Sequence, residues 1–227
     1  MTNKFTALPV FAWLNKLKQH FQSMPILIWL NAATIVMLAL LSLYAKVRSN
    51  GAGIENLFSD PFYFGIFYLG WLTSVSEILW CTAIAICLFS AFLLPTSSRG
   101  FGLFLFASAA IMLLLFFDDR FRLTLILCVF FGTCKVVKLS VYTVYGALLI
   151  SYAWLFRHTI KKTPYIPLLV SFCLFGFSSA IDITPISNRG IHAMLEDGSK
   201  LIGLINLTIY FWWISQQEIK KNLLYKQ

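Results

Sequence analysis

Four places in this sequence carry residue types at spacings that could do chemistry. Asp118-Asp119-Arg120-Phe121-Arg122 ends an apolar run that begins at Phe101, so two adjacent carboxylates and two guanidiniums stand at the edge of a hydrophobic segment. Asp182 closes a second apolar run, behind Ser178 and Ser179. Leu195-Glu196-Asp197-Gly198-Ser199-Lys200 opens a third, and Glu77 lies within a fourth. If the ends of these runs meet, Asp118, Asp119, Asp182, Glu196, Asp197, Glu77 and Lys200 form a candidate ligand-binding set for a cation, a metal or a polar substrate. Ionisable groups at membrane depth are candidates for function by default. A carboxylate-rich set suits a hard divalent cation such as calcium or magnesium, and the candidate metal ligands are Asp118, Asp119, Asp182, Glu196 and His192. No residue is assigned a catalytic role, because HExxH, a phosphate loop and G-x-S-x-G are all missing. One His and one Ser in a loop, His192 and Ser187, do not make a nucleophile and its base.

Each acid also has a plainer reading. Ser74-Val75-Ser76-Glu77 matches a capping box, in which Glu77 reaches back to its own helix start. Glu196 and Asp197 suit the positive end of a helix dipole, and Glu196 with Lys200 is an i,i+4 pair in the favourable order. Asp119 could cap the segment after it while Asp118 pairs with Arg122. Such readings are weakest for Asp118, Asp119 and Asp182, since a carboxylate at a helix carboxyl end opposes the dipole.

The elements that would position these residues are membrane helices. The 227-residue chain is 59% hydrophobic and 12% charged, with mean hydropathy +0.78, and several runs of about 20 apolar residues can each cross a hydrocarbon core of ~30 Å. Twenty-two Phe, nine Tyr and seven Trp suit lipid-facing helices with aromatic belts. The net charge of +9 resides in short loops, where orientation in the membrane explains it, and nucleic acid is not a partner. None of the five cysteines forms a CxxC pair. Cys128 and Cys134 could pair if they face an oxidising side, while the simpler reading makes them small hydrophobes in a packed span.

The expected fold is an all-α membrane protein with six transmembrane helices, at about 25–45, 75–94, 101–117, 139–156, 164–184 and 196–214. Residues 8–22 read as an amphipathic helix in the interface, within a cytoplasmic segment 1–22. The membrane domain spans 23–215, with re-entrant or interfacial segments near 61–71 and 120–135, and 216–227 is a basic cytoplasmic tail. Leu123–Phe131 is too short to span. Ala83, Cys87 and Ala91 give the second span a ridge for close packing, and Trp212-Trp213 anchors the end of the sixth. Counted this way, both termini share the side richer in Lys and Arg, which places them in the cytoplasm. Eight of the nine acids then lie on or near the outer boundary, all except Glu218.

Asp118-Asp119-x-Phe121, with Leu195-Glu196-Asp197-Gly198-x-Lys200-Leu201-x-Gly203 much later, resembles a group of uncharacterised bacterial multi-pass membrane proteins. The similarity runs loosely from Asp60-Pro61 to the end of the sixth span and implies a bacterial inner membrane. In that group a His-Glu pair often follows the double aspartate a few residues on. Thr124-Leu125 stands there in this chain, which removes the best metal ligand or base. The functional expectation is therefore not enzymatic: binding of a small polar or cationic ligand, or of a partner membrane protein, at an outer-facing acidic cluster. The alternatives are a membrane-embedded metal-dependent hydrolase acting on a lipid or peptide, and a small transporter.

Overall fold

The computed structural model describes residues 25–49, 55–58, 70–95, 99–184 and 186–224. The amphipathic stretch 8–22, the interfacial segment near 61–71 apart from Gly70 and Trp71, and the last residues of the tail lie outside the described residues. Helix α1 (Pro25–Ser49) opens on a proline, whose fixed φ suits the first helical position. A short 3-10 turn at Glu55–Leu57 precedes α2 (Trp71–Leu93). The remaining helices are α3 (Arg99–Phe121), α4 (Leu123–Phe131), α5 (Cys134–Leu155), α6 (Arg157–Lys161), α7 (Ile166–Ile183) and α8 (Arg189–Leu224). No strand occurs among the described residues.

Several boundaries differ from those the sequence suggests. The capping box at Ser74 does not form. Gly70, at φ 70°, turns the chain earlier, and Ser74 already donates its amide to the Gly70 carbonyl at 2.9 Å inside the first turn of α2. Helix α3 continues through Asp118 and Asp119. Arg122, at φ 50°, then bends the chain directly into α4. The nine residues of α4 reach only about 14 Å at 1.5 Å per residue, and Gly132 at φ 72° ends them. The short segment expected at Leu123–Phe131 is therefore a helix with those same ends. Helix α5 begins before Leu139 and takes in Lys135 and Lys138, good helix formers whose long stems reach past apolar neighbours. A Cys128–Cys134 disulfide ties the end of α4 to the start of α5.

The largest correction concerns α8. The sequence suggests a span over 196–214, but the helix has 36 residues, about 54 Å at the α-helical rise. Glu196 and Asp197 are consequently two turns inside it, not at its dipole-positive first turn. Among the described residues, five helices are long and apolar enough to cross a membrane: α1, α2, α3, α5 and α7. Helix α8 is not one of the five, because charged ends flank its apolar middle, although it is the helix against which α1, α2 and α7 assemble. Leu201, Leu204, Leu207, Tyr210, Phe211 and Ile214 are all buried. Its Gly203 admits α7 so closely that a Cβ there would meet the Phe175 ring at 3.0 Å.

The core is aromatic. Phe104 of α3, fully buried, packs against Tyr152, Phe156 and Phe211 with ring centroids 5.8, 5.5 and 6.3 Å away. Ala83 and Cys87 are buried on α2, forming part of the small-residue ridge read from the sequence. Asn31 of α1 and Asn206 of α8 exchange amide hydrogen bonds of 3.0 and 2.8 Å. A reciprocal pair of this kind satisfies both side chains where lipid offers no partner. The outward faces are apolar, with Trp29, Phe92, Phe130 and Trp154 all more than two-thirds exposed. Such a surface suits a bilayer, and the protein is a membrane protein.

Candidate functional site

One end of the bundle gathers the ends or outer turns of five helices: the first half of α2, the end of α3, the start of α5, the end of α7 and the first third of α8. A cavity of about 880 Å³ opens among them. Asp118, Asp119, Asp182, Glu196, Asp197 and Lys200 all line it, beside Arg122, Lys138, Tyr142 and Tyr145. Six residues chosen from sequence therefore share one cavity. Glu77 and His192 do not line it. Glu77 instead pairs with Arg120 at 3.2 Å, and His192 faces a separate shallow depression while its Nδ1 approaches Glu196 at 3.3 Å.

Local geometry shows why each acid is tolerated. Asp118 caps α4, accepting the Thr124 amide at 2.9 Å and the Thr124 hydroxyl at 2.8 Å. The turn at Arg122 thus places the carboxyl end of α3 beside the amino end of α4, and the positive pole of α4 offsets the unfavourable pole of α3. Asp119 accepts from Lys200 Nζ at 2.7 Å and from the Trp80 indole at 3.3 Å, joining α2, α3 and α8. The roles expected of this pair are exchanged: Asp118 is the cap and Asp119 the ion-pair partner. Lys200 pairs across helices with Asp119, and at 3.6 Å with Asp197, so the expected Glu196–Lys200 pair is replaced by His192–Glu196.

Asp182 accepts from Lys138 Nζ at 2.7 Å and from the Tyr142 hydroxyl at 2.6 Å, which fastens α5 to α7. Tyr142 and Tyr145 line the same cavity as Asp118 and Glu196. Lys138, Tyr142, Tyr145, Trp80 and Thr124 complete the site, and sequence reasoning missed all five. A signal for α5 was present in the spacing: Lys138, Tyr142, Tyr145, Leu149 and Ala153 recur at helical intervals along one face. Assigning Lys138 to a loop concealed that face.

In their present partnerships the carboxylates are divided among separate cations and donors. Among the described residues, no three His, Cys, Asp or Glu side chains come together as a set that could hold a metal. The set Asp118, Asp119, Asp182, Glu196 and His192 is therefore not assembled as ligands around one point. What the arrangement offers is a polar chamber with alternating charges and aromatic walls. From it a gap lined by Leu115, Leu149, Ile150 and Phe172 runs between α5 and the rest of the bundle.

This fold defines a multi-helix membrane protein with a charged cavity at one end. The chain belongs to a family described as a domain of unknown function, DUF8692, whose model matches residues 27–214. The matched range contains every helix from α1 to the middle of α8 and all residues lining the cavity. No curated protein and no solved structure matches the chain.

Proposed function

We propose that this is a six-span bacterial inner-membrane protein that binds a small polar or cationic ligand at its outer face. The sixth span is the apolar middle of α8, and both termini lie in the cytoplasm. The observation that carries the reading is the cavity: charged residues from α3, α5, α7 and α8 and from the turn at Arg122, far apart in sequence, line it together. The Cys128–Cys134 disulfide between α4 and α5 supports an outer position for that end of α5, because such bonds persist in oxidising compartments. The carboxylates outnumber the cations on the wall, Asp118, Asp119, Asp182, Glu196 and Asp197 against Arg122, Lys138 and Lys200, which favours a positively charged guest.

The test uses the purified full-length chain, with and without Asp118→Ala plus Asp119→Ala. The reading expects a small organic cation such as ethylammonium to raise the melting temperature of the parent protein and not that of the double variant. It also expects both proteins to be free of transition metal. Stoichiometric zinc in the parent, lost in the variant, would overturn it in favour of a metal-dependent hydrolase. Sidedness is checked separately. After reduction, Cys128 and Cys134 should react with a membrane-impermeant maleimide applied to the periplasmic side of intact spheroplasts, and labelling only after lysis would reverse the topology.

A further inference from the structure

The cavity has a second half that a small ion would leave empty. Helix α5 is fastened at two levels. Near its start, Lys138 and Tyr142 hold Asp182. Lower down, Tyr152 shares a 2.5 Å hydrogen bond with Ser108 and stacks on Phe104. The ten residues from Tyr142 to Tyr152 cover about 15 Å, and along that length the cavity continues as an apolar gap.

Two glycines keep this gap open. Gly146 on α5 and Gly176 on α7 both line it, and a Cβ built on either would have no heavy atom within 4 Å. Neither has a positive φ. Glycine in a helix interior is less stable than alanine, and here it is required neither by backbone conformation nor by close packing. What both glycines preserve is space. The polar end of that space carries five carboxylates against three cations, and two of the cations, Lys138 and Lys200, are already held at 2.7 Å by Asp182 and Asp119. Tyr142 and Tyr145 add aromatic rings to the wall that Asp118 also lines, and carboxylates with aromatic faces are the surroundings an ammonium group prefers.

Building on the reading above, we propose that the ligand is an amphiphile, with an ammonium head among Asp118, Tyr142 and Tyr145 and a hydrocarbon tail in the gap beside Gly146 and Gly176. A metal ion would fill neither the length nor the apolar half. An anionic head would meet more carboxylates than available cations.

Native mass spectrometry of the full-length chain, released from a nonionic detergent, tests this with decylamine as probe and methylammonium, decanoate and decanol as competitors. One decylamine should bind per chain, with decanoate, decanol and methylammonium each at least tenfold weaker as competitors. Asp118→Asn should weaken decylamine at least tenfold. Gly146→Leu should do the same by occupying the gap, and since that position has room for a side chain, its folding should be intact by circular dichroism. If methylammonium competes as well as decylamine and Gly146→Leu binds normally, the amphiphile is overturned while an ionic ligand stands. If decanol competes equally and Asp118→Asn binds normally, the charged cluster recognises nothing and both readings fall. Absence of any adduct with either amine has the same consequence.

Discussion

Gly203 and Gly146 are both glycines in the middle of long helices, and their surroundings are opposite. At Gly203 the Phe175 ring stands 3.0 Å from where a Cβ would be; at Gly146 nothing lies within 4 Å. The first belongs to the packed side of the molecule, where α2, α3, α7 and α8 share a core that also takes in the end of α5 at Tyr152. The second belongs to the α4–α5 arm, fastened at its ends and open between them. Small residues thus serve close approach on one side and vacancy on the other. Sequence spacing cannot distinguish the two uses, because both read as glycine in an apolar helix.

The strongest way to break this comparison is to enlarge both glycines. Gly203→Leu should destabilise the protein by about 3 kcal/mol, the upper range for overpacking a close contact. Gly146→Leu should change stability by less than about 1 kcal/mol, with helix propensity favouring the variant. Chemical unfolding in detergent measures both, and equal losses would remove the distinction between the two sides. Next in size is Lys200→Met, expected to cost about 2 kcal/mol, below the usual range for a fully buried pair because these side chains are about one-quarter exposed. It leaves Asp119 and Asp197 without their shared cation. Lys138→Met should cost only about 1 kcal/mol, since Asp182 retains the Tyr142 hydroxyl.

Removing the disulfide with Cys128→Ser plus Cys134→Ser closes no cavity and tests the arm alone. The short loop implies a loss on the order of 2 kcal/mol if it acts globally. If the arm opens separately, hydrogen exchange should quicken in α4 and the first turns of α5 while α2, α3 and α8 keep their protection. Quickening of equal size in α8 would mean that arm and core unfold as one unit. Asn206→Leu should cost about 1 kcal/mol in the same unfolding measurement, because Asn31 then loses its partner within the bundle.

Much of the helical layout was legible from apolar run lengths. Pro25 marks the start of α1, and the nine-residue α4 was readable between Arg122 and Gly132. The polar transitions were harder. A helix does not stop where hydrophobicity stops: α3 runs on through Asp118-Asp119, α5 starts among lysines, and α8 continues on both sides of its apolar middle. Charged residues can extend a helix when each finds a partner on a neighbouring one, and those partners are remote in sequence. Asp119 and Lys200 are 81 residues apart. The local alternatives, a capping box at Glu77 and a Glu196–Lys200 pair, were chemically sound, but Arg120 takes Glu77 and Asp119 takes Lys200, which leaves Glu196 to its other i,i+4 neighbour, His192.

By itself the sequence determined that the chain is helical and suited to lipid, and where charge interrupts its apolar runs. Hydrophobic run length sets that, because backbone polar groups in lipid must be satisfied within each helix. Only the tertiary structure decided which acid meets which base, that six of the singled-out residues share one cavity, and that Gly146 faces empty space. Those outcomes depend on the rotation and tilt of each helix against its neighbours, which are set by packing contacts between segments far apart in the chain.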